Sequence, residues 1–175
     1  MEVPLVQFEQ LMLPHLDSAH RLARWLVRNE HDAQDQVQEA YLRAFRFFPQ
    51  FRGGDGRAWL LTIVRNVCFS WLRKNRMADM SEPFDEELHV RESAPAADEH
   101  MRRDDAELLS HALEKIPPLF REVIVLRELE GLSYKEIAAV AEVPIGTIMS
   151  RLARARRHLQ AEVARQMNPS PEHEL

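Results

Sequence analysis

The 175-residue sequence has one cysteine and five glycines, and it lacks a long hydrophobic run. The single cysteine, Cys68, excludes an internal disulfide framework and a metal site built from several cysteines. Few glycines and few runs of β-branched residues favour helices over strands. Because no stretch approaches about 18 consecutive apolar residues, we expect no transmembrane helix and no membrane insertion.

The N-terminus also lacks the basic region of a signal peptide, since an acid, Glu2, stands there. Together with the single cysteine, this predicts a protein of a reducing compartment, and we expect a cytoplasmic location. Hydrophobic residues make up 45% of the chain, which is enough to form a packed core.

The net charge of −5 hides an uneven distribution of charged residues. Residues 52–76 hold six basic residues and one acid, residues 79–107 hold eleven acids and three arginines, and residues 144–161 hold four arginines and no acid. Two basic segments separated by an acidic one indicate contact with a polyanion at two places. Solvated helix faces would explain the same pattern without any polyanion.

Apolar residues recur at helical spacing along the chain, which predicts an all-α protein. An acidic stretch of low hydrophobicity interrupts the pattern and predicts a flexible linker. We therefore expect two small helical domains, the C-terminal one containing a helix-turn-helix. The predicted boundaries are 1–78 for the first domain, 79–103 for the linker, 104–167 for the second domain and 168–175 for a disordered tail.

In the first domain, the periodicity predicts a helix over residues 6–28 that Pro14 kinks or splits. Asp32 is expected to cap the next helix, with Asp35 three residues later in the place of the usual capping-box glutamate. A loop with three glycines then precedes a long helix over residues 57–77.

In the second domain, a helix is expected from about residue 104 to the prolines at 117 and 118, and another up to Gly131. A two-helix unit comes after Gly131. Ser133 and Glu136 have the spacing of a capping box at its start, and Pro144 begins its last helix. This pattern predicts the helix-turn-helix.

The last helix divides into a buried stripe and a polar face. On a helical wheel the apolar residues on one side are Ile148, Leu152, Ala155 and Leu159, and the outward residues are Thr147, Ser150, Ala153, Arg154 and Arg157. Arg151 flanks the stripe. Small side chains and hydroxyls followed by arginines are what a helix entering the DNA major groove requires.

The long helix of the first domain shows the same division. Its predicted buried stripe is Leu60, Val64, Val67 and Trp71, and its opposite, outward face is Thr62, Arg65, Asn66, Phe69, Arg73 and Arg76. An aromatic ring among arginines suits a phosphate backbone with an unstacked base. Packing of Phe69 against the second domain or a protein partner is the alternative.

Three stretches together resemble the extracytoplasmic-function (ECF) sigma factors of bacterial RNA polymerase. They are "DAQDQVQEAYLRAFRFFPQF", "RAWLLTIVRNVCFSWLRKNR" and "IPPLFREVIVLRELEGLSYKEIAAVAEVPIGTIMSRLARARRHL". The resemblance covers both predicted domains, in order, and implies a non-catalytic polymerase subunit that recognises promoters and helps to open them.

The resemblance also implies partners and roles for particular residues. Core polymerase would dock its β′ clamp helices on Asp32, Asp35, Gln38, Glu39, Leu42 and Arg43, and its β flap on the second domain. The minus-ten element of promoter DNA would meet Arg65, Asn66, Phe69, Arg73 and Arg76. The minus-thirty-five element would meet Thr147, Ser150, Arg151, Arg154 and Arg157. An anti-sigma factor is a further partner that the resemblance implies.

Two other functions stay open at this point. A stand-alone helix-turn-helix regulator would need a ligand pocket or a dimer seam in the first domain, and the sequence indicates neither. An enzyme is the other. His15, His20 and His31 fit no spacing of metal ligands or activated nucleophiles, so we expect no catalytic residue, no metal and no cofactor.

Overall fold

The computed structural model describes residues 3–79 and 100–168, and within these ranges the regular structure is entirely helical, as predicted. Side chains are described for residues 5–76 and 104–168. The elements are α1 (Val3–Met12), a 3₁₀ turn (Leu13–His15), α2 (Leu16–Val27), α3 (Glu30–Phe47), a second 3₁₀ turn (Phe48–Gln50), α4 (Gly56–Asp79), α5 (His100–Lys115), α6 (Pro118–Ile124), a π-helix (Val125–Leu129), α7 (Tyr134–Ala141) and α8 (Ile145–Met167).

The expected first helix is split, and its successor begins earlier than predicted. Pro14 lies in the 3₁₀ turn between α1 and α2, because its ring and missing N–H do not fit a helix interior. Asn29 caps α3, and its side-chain oxygen accepts a hydrogen bond from the backbone N–H of Asp32 at 3.0 Å. The predicted capping box of Asp32 and Asp35 is therefore wrong, since Asn29 already fills the cap position.

The first domain is a bundle in which α2, α3 and α4 pack against one another. Leu60, Val64 and Val67 of α4 are buried as the wheel predicted, and Trp71 is half-buried. Leu61 and Cys68 are also fully buried, although they lie outside the predicted stripe. Helix α4 also packs against α7 of the second domain, in addition to its contacts with α2 and α3.

The second domain contains the predicted helix-turn-helix, formed by α7 and α8. Ser133 Oγ accepts from the N–H of Glu136 at 3.1 Å, and Glu136 Oε2 accepts from the N–H of Ser133 at 2.6 Å, so the capping box is confirmed. Pro144 is the N-cap of α8 rather than its first residue. Ile148, Leu152 and Ala155 are buried, as predicted, and Leu159, the fourth residue of the predicted stripe, is half-buried against the core.

The second domain begins earlier than predicted. Helix α5 begins at His100, inside the predicted linker of residues 79–103. The rest of that linker and the tail after residue 168 lie outside the described residues. No helix in the described ranges has the length and apolar character that a membrane span requires.

Candidate nucleic-acid and protein interfaces

The N-terminal half of α8 presents the predicted reading surface to solvent. Ser150, Arg154 and Arg157 are exposed, Thr147 is half-buried, and the exposed Met149 lies between them. The buried stripe on the other side of α8 holds this face outward, because those residues are anchored in the core of the domain. The surface is exposed and basic, with small side chains beside its arginines, and its DNA-reading role stays a prediction.

Arg151 lies at the edge of that surface and is only partly directed to solvent. It is half-buried, and its Nη1 atom is buried without a hydrogen-bond partner in the described chain. Its charge acts on Glu122, a buried carboxylate of α6. Arg151 is thus shared between the α8 surface and the domain interior.

The second domain covers part of the polar face of α4, so the predicted solvent exposure is wrong for Arg65 and holds for Asn66, which is exposed. The Arg65 side chain is only 14% exposed, and its Nε donates to a carboxylate oxygen of Glu122, which is completely buried. Asn66 Nδ2 donates to Glu142 Oε1 at 3.2 Å, in the turn between α7 and α8. Arg73 and Arg76, farther along α4, are exposed.

Phe69 is half-buried against the hydrophobic core rather than free on a solvent face. The guanidinium carbon of Arg65 lies 4.7 Å from the centroid of its ring, within the range of a cation–π contact. The arginine that pairs with Glu122 therefore also lies over the ring.

A second carboxylate, Glu130, connects the domains at the other end of the interface. Its side chain is 1% exposed, and its two oxygens accept from Arg21 Nη1 at 2.6 Å and Arg57 Nη2 at 2.8 Å. Arg57 also donates to the backbone carbonyl of Glu130 at 2.6 Å. Burial alone would favour the neutral acid, but hydrogen bonds from Ser18 and these arginines, with the charge of Arg21, outweigh it and hold the pKa of Glu130 below its usual range.

Arg121 is the third charged side chain of the interface and is almost fully buried. Its guanidinium donates to Leu113 O at 2.9 Å and Ile116 O at 2.8 Å in its own domain, and to Trp25 O at 2.6 Å in the first domain. These carbonyls lie at the C-terminal ends of α5 and α2, where a positive charge is favourable. Burial lowers its pKa to about 10, so Arg121 remains protonated at neutral pH.

The sequence contained one indication that these charged residues are buried, because they lie within or directly after an apolar run. Arg121 and Glu122 interrupt the run "LFREVIVLREL", and Glu130 follows it directly. Among the side chains that the structure describes, these three are the buried charged residues. Burial raises the pKa of Glu122, while the charges of Arg65 and Arg151 oppose that rise.

The third surface is the exposed side of α3, which the second domain does not cover. Asp35, Gln38, Leu42 and Arg43 are exposed, and Asp32 and Glu39 are half-buried. Leu42 is 59% exposed. Arg43 Nε donates to Glu39 Oε1 at 2.7 Å, one turn away.

An apolar groove borders this side of α3 and was not found by sequence reasoning. It is lined by side chains of α1, α3 and the turn between α1 and α2, among them Leu5, Phe8, Leu13, Leu42 and Phe45. Exposed apolar side chains next to acids and an arginine are typical of a protein-binding surface. Helical periodicity did not reveal the groove because some of its lining side chains belong to α1. How α1 lies against α3 depends on tertiary packing, which the sequence pattern does not specify.

The histidines near the N-terminus form no catalytic arrangement in the described structure. His20 Nε2 lies 2.8 Å from Glu30 Oε1, and Arg24 Nε lies 3.4 Å from the other oxygen of the same carboxylate, so the histidine belongs to a polar cluster at the surface. Within the described residues no group of histidine, cysteine and acidic side chains has the arrangement of a metal site.

Comparison with known proteins identifies similar chains for both domains. The family models described as "Sigma-70 region 2" and "Sigma-70, region 4" match residues 11–77 and 106–159. The chain is 34% identical over 167 residues to the ECF RNA polymerase sigma factor SigE of Mycolicibacterium smegmatis, covering 94% of the chain and 64% of the relative. It is 35% identical over 161 residues to the RNA polymerase sigma-H factor of Pseudomonas aeruginosa, covering 85% and 82%.

A solved structure with a similar fold is the sigma factor RpoE in complex with the anti-sigma factor NepR from Bartonella quintana. The superposition has a TM-score of 0.72 and 31% sequence identity, and it covers 90% of this chain and 97% of that chain. The similarity therefore extends over both domains rather than one.

Proposed function

Because the chain belongs to the ECF group of the sigma-70 family, it is a sigma factor of the kind that directs RNA polymerase to promoters, and we propose how its two domains divide that task. The first domain binds core polymerase and the minus-ten element, and the second binds the minus-thirty-five element. The presence of region 2 and region 4 in order within one chain carries this proposal.

The α3 side of the first domain is the proposed docking site for the β′ clamp helices of polymerase. Its six predicted contact residues share one helix, and the apolar groove beside them offers additional area for a helical partner. Exposure of Leu42 supports this assignment, since a large apolar side chain in water gains from being covered.

The α8 surface is the proposed reader of the minus-thirty-five element in duplex DNA. Thr147 and Ser150 lie near the start of the helix, and Arg154 and Arg157 follow one and two turns later. The second domain is also the proposed docking site for the β flap. This division leaves the α4 face, with Arg65, to the minus-ten element.

An anti-sigma factor is proposed as the inhibitory partner of this chain. The structural relative RpoE was captured with the anti-sigma factor NepR, and the fold match covers both of its domains. A partner that binds the same surfaces here would keep polymerase and DNA away. We place the protein in the cytoplasm and assign it no catalysis of its own, because its role is to position polymerase.

Co-purification with core polymerase tests the proposed function directly. Leu42→Asp should abolish co-purification, because it introduces a charge into the proposed clamp-helix site. Leu16→Asp, the same change at an exposed leucine of α2 that does not line the groove, should retain it and is the matched control.

Run-off transcription on genomic fragments, with and without the wild-type chain, then tests promoter selection. Transcripts that require the chain support the proposal. A homodimer that binds DNA without polymerase, and adds no transcripts to core enzyme, would instead identify a stand-alone regulator.

A further inference from the structure

We propose that Met149 is a specificity-determining residue of the α8 surface, and that it recognises a thymine of the minus-thirty-five element through the C5-methyl group of that base. The inference rests on the proposed function, because it assigns a ligand to one side chain of the proposed reading helix. Met149 itself is 54% exposed and is not part of the hydrophobic core.

The exposed surface at the N-terminal end of α8 is uncharged. Its exposed residues are Ile145, Gly146, Met149, Ser150 and Ala153. The single charged residue of positions 145–153, Arg151, is half-buried, and its Nη1 atom lies in the domain interior. The N-terminal residues of a recognition helix are the ones that contact base edges. This end of α8 therefore has to read bases without an exposed charged side chain.

Two large apolar side chains lie in this uncharged surface. Ile145 is 49% exposed, and Met149 follows four residues later on the same side of the helix. An apolar side chain in water is stabilised when another apolar group covers it. In the major groove, the apolar group that a base pair offers is the C5-methyl of thymine. Methionine has three rotatable bonds, so its end can adapt to the position of such a group.

Gly146 allows a partner surface to approach α8 closely. A Cβ atom added at Gly146 would meet nothing within 4 Å, and no positive φ requires a glycine there. Glycine is less favourable than alanine in a helix, so its presence is not explained by the fold of the chain itself. The small residues Gly146, Ser150 and Ala153 would let the floor of a groove come within contact distance of Met149.

Replacing thymidine by deoxyuridine tests the proposal at one methyl group. The probe is the duplex upstream element of a promoter that run-off transcription with the chain identifies. Competition binding measures its affinity for core polymerase carrying the chain, as each thymidine is replaced in turn. The wild type should lose about fourfold in affinity at one position, the factor that burial of one methyl-sized group produces. Equal affinity for every replaced probe would overturn the proposal.

Variants at Met149 connect that methyl group to the side chain. Met149→Gln keeps the side-chain length but makes its end polar, so it should bind the thymidine probe more weakly and show no further loss with deoxyuridine. Met149→Leu is apolar and of similar volume, so it should keep the response. Met167→Gln, at an exposed methionine at the other end of α8, is the matched control and should respond as the wild type does. A full deoxyuridine response in Met149→Gln would overturn the proposal.

Gly146→Ala tests the close approach. The added methyl group meets nothing in the chain, so thermal melting should stay at or above that of the wild type. The affinity for the promoter probe should fall, because the methyl group occupies space next to the DNA. A Gly146→Ala chain that binds the probe as tightly as the wild type would leave DNA too far from α8 for a methyl contact, and would overturn the proposal.

Salt dependence and co-purification distinguish base reading from other roles of Met149. The slope of log affinity against log salt should be the same for the wild type and Met149→Gln, because no phosphate contact is removed. A protein partner could cover Met149 instead of DNA. In that case Met149→Gln would lose co-purification with polymerase while keeping the deoxyuridine response, and the proposal would be overturned.

Failure of this inference and failure of the proposed function give different results. A chain that adds no promoter-dependent transcripts to core polymerase would contradict the proposed function and, with it, the role of Met149. A chain that selects promoters but is indifferent to every thymine methyl group would contradict the role of Met149 alone.

Discussion

The polar faces of α4 and α8 have the same sequence signature but different surroundings. Both carry arginines opposite an apolar stripe, and both were predicted to face solvent. On α8 the arginines Arg154 and Arg157 are exposed, whereas on α4 Arg65 is 14% exposed and paired with a buried acid. The difference shows that periodicity identifies the side turned away from a helix's own core, but not the element that covers that side.

The two faces should therefore respond differently to the loss of one arginine. A covered arginine neutralises a buried carboxylate, so its removal affects stability. The exposed Arg154 of α8 has no acidic partner among the described residues, so we expect its removal to affect binding rather than stability. An arginine-to-alanine substitution on each helix separates the contribution to stability from the contribution to binding.

The largest effect is expected for Arg65→Ala on the covered face. It leaves Glu122 buried without its partner, which should lower the free energy of unfolding by about 3–5 kcal/mol. Urea unfolding of the full chain measures the change. The double variant Arg65→Met with Glu122→Leu should recover much of the loss, because it removes both charges. Wild-type stability of Arg65→Ala would contradict the buried pair.

Leu152→Ala, on the buried side of α8, should lower the free energy of unfolding by about 2–5 kcal/mol, since it leaves a cavity in the core of the second domain. Differential scanning calorimetry should show the loss, together with loss of minus-thirty-five recognition. The control for the calorimetry is Met149→Ala, three residues earlier on the exposed side. If both variants melt alike, the orientation of α8 is wrong.

Phe69→Ala separates base stacking from domain packing on α4. If the ring supports a melted strand, its loss removes about 1–3 kcal/mol of stacking per base and slows open-complex formation, while polymerase binding persists. Permanganate footprinting at matched occupancy measures the open complex, and pre-opened templates should restore transcription. Phe47→Ala, at an exposed aromatic of α3, is the control. Equal thymine reactivity in wild type and Phe69→Ala would assign the ring to packing alone.

The smallest effect on the free chain is expected for Arg154→Ala, whose stability should stay within about 0.5 kcal/mol of the wild type. Its effect should appear in DNA binding instead. If Arg154 contacts a phosphate, the slope of log affinity against log salt should fall by about 1 without a change in specificity. If it reads a base, discrimination should be lost at one position.

Arg165→Ala is the control for that variant, because Arg165 is an exposed arginine near the other end of the same helix. Equal DNA binding by the Arg154→Ala, Arg165→Ala and wild-type chains would remove Arg154 from the reading surface.

Features set by local physics were predicted well from the sequence. Pro14 lies in the interior of the predicted helix, where its ring and missing N–H interrupt helical hydrogen bonding, and Ser133 with Glu136 satisfies two backbone donors within one turn. The apolar side of α8 followed from its period alone. Asp32 was mistaken for a cap because Asn29, three residues earlier, offers an equally good side-chain oxygen.

Features set by contacts between the domains could not be predicted from local pattern. Arg65 lies on the side of α4 that the helical wheel assigns to solvent, and its partner there, Glu122, belongs to the second domain. Glu130 pairs with Arg21 and Arg57, which are 109 and 73 residues away in sequence. No helical period carries information about partners at such separations.

The π-helix at Val125–Leu129 sets the direction of Glu130 through an extra residue in the helical turn. The N–H of Glu130 donates to the carbonyl of Val125 at 3.0 Å, five residues back instead of the usual four. Deleting one residue from this segment would restore regular α-helical winding and rotate the downstream residues by about 100°. The coupling between the domains thus depends on the length of this one turn: with one residue fewer, the same acid would point away from both arginines.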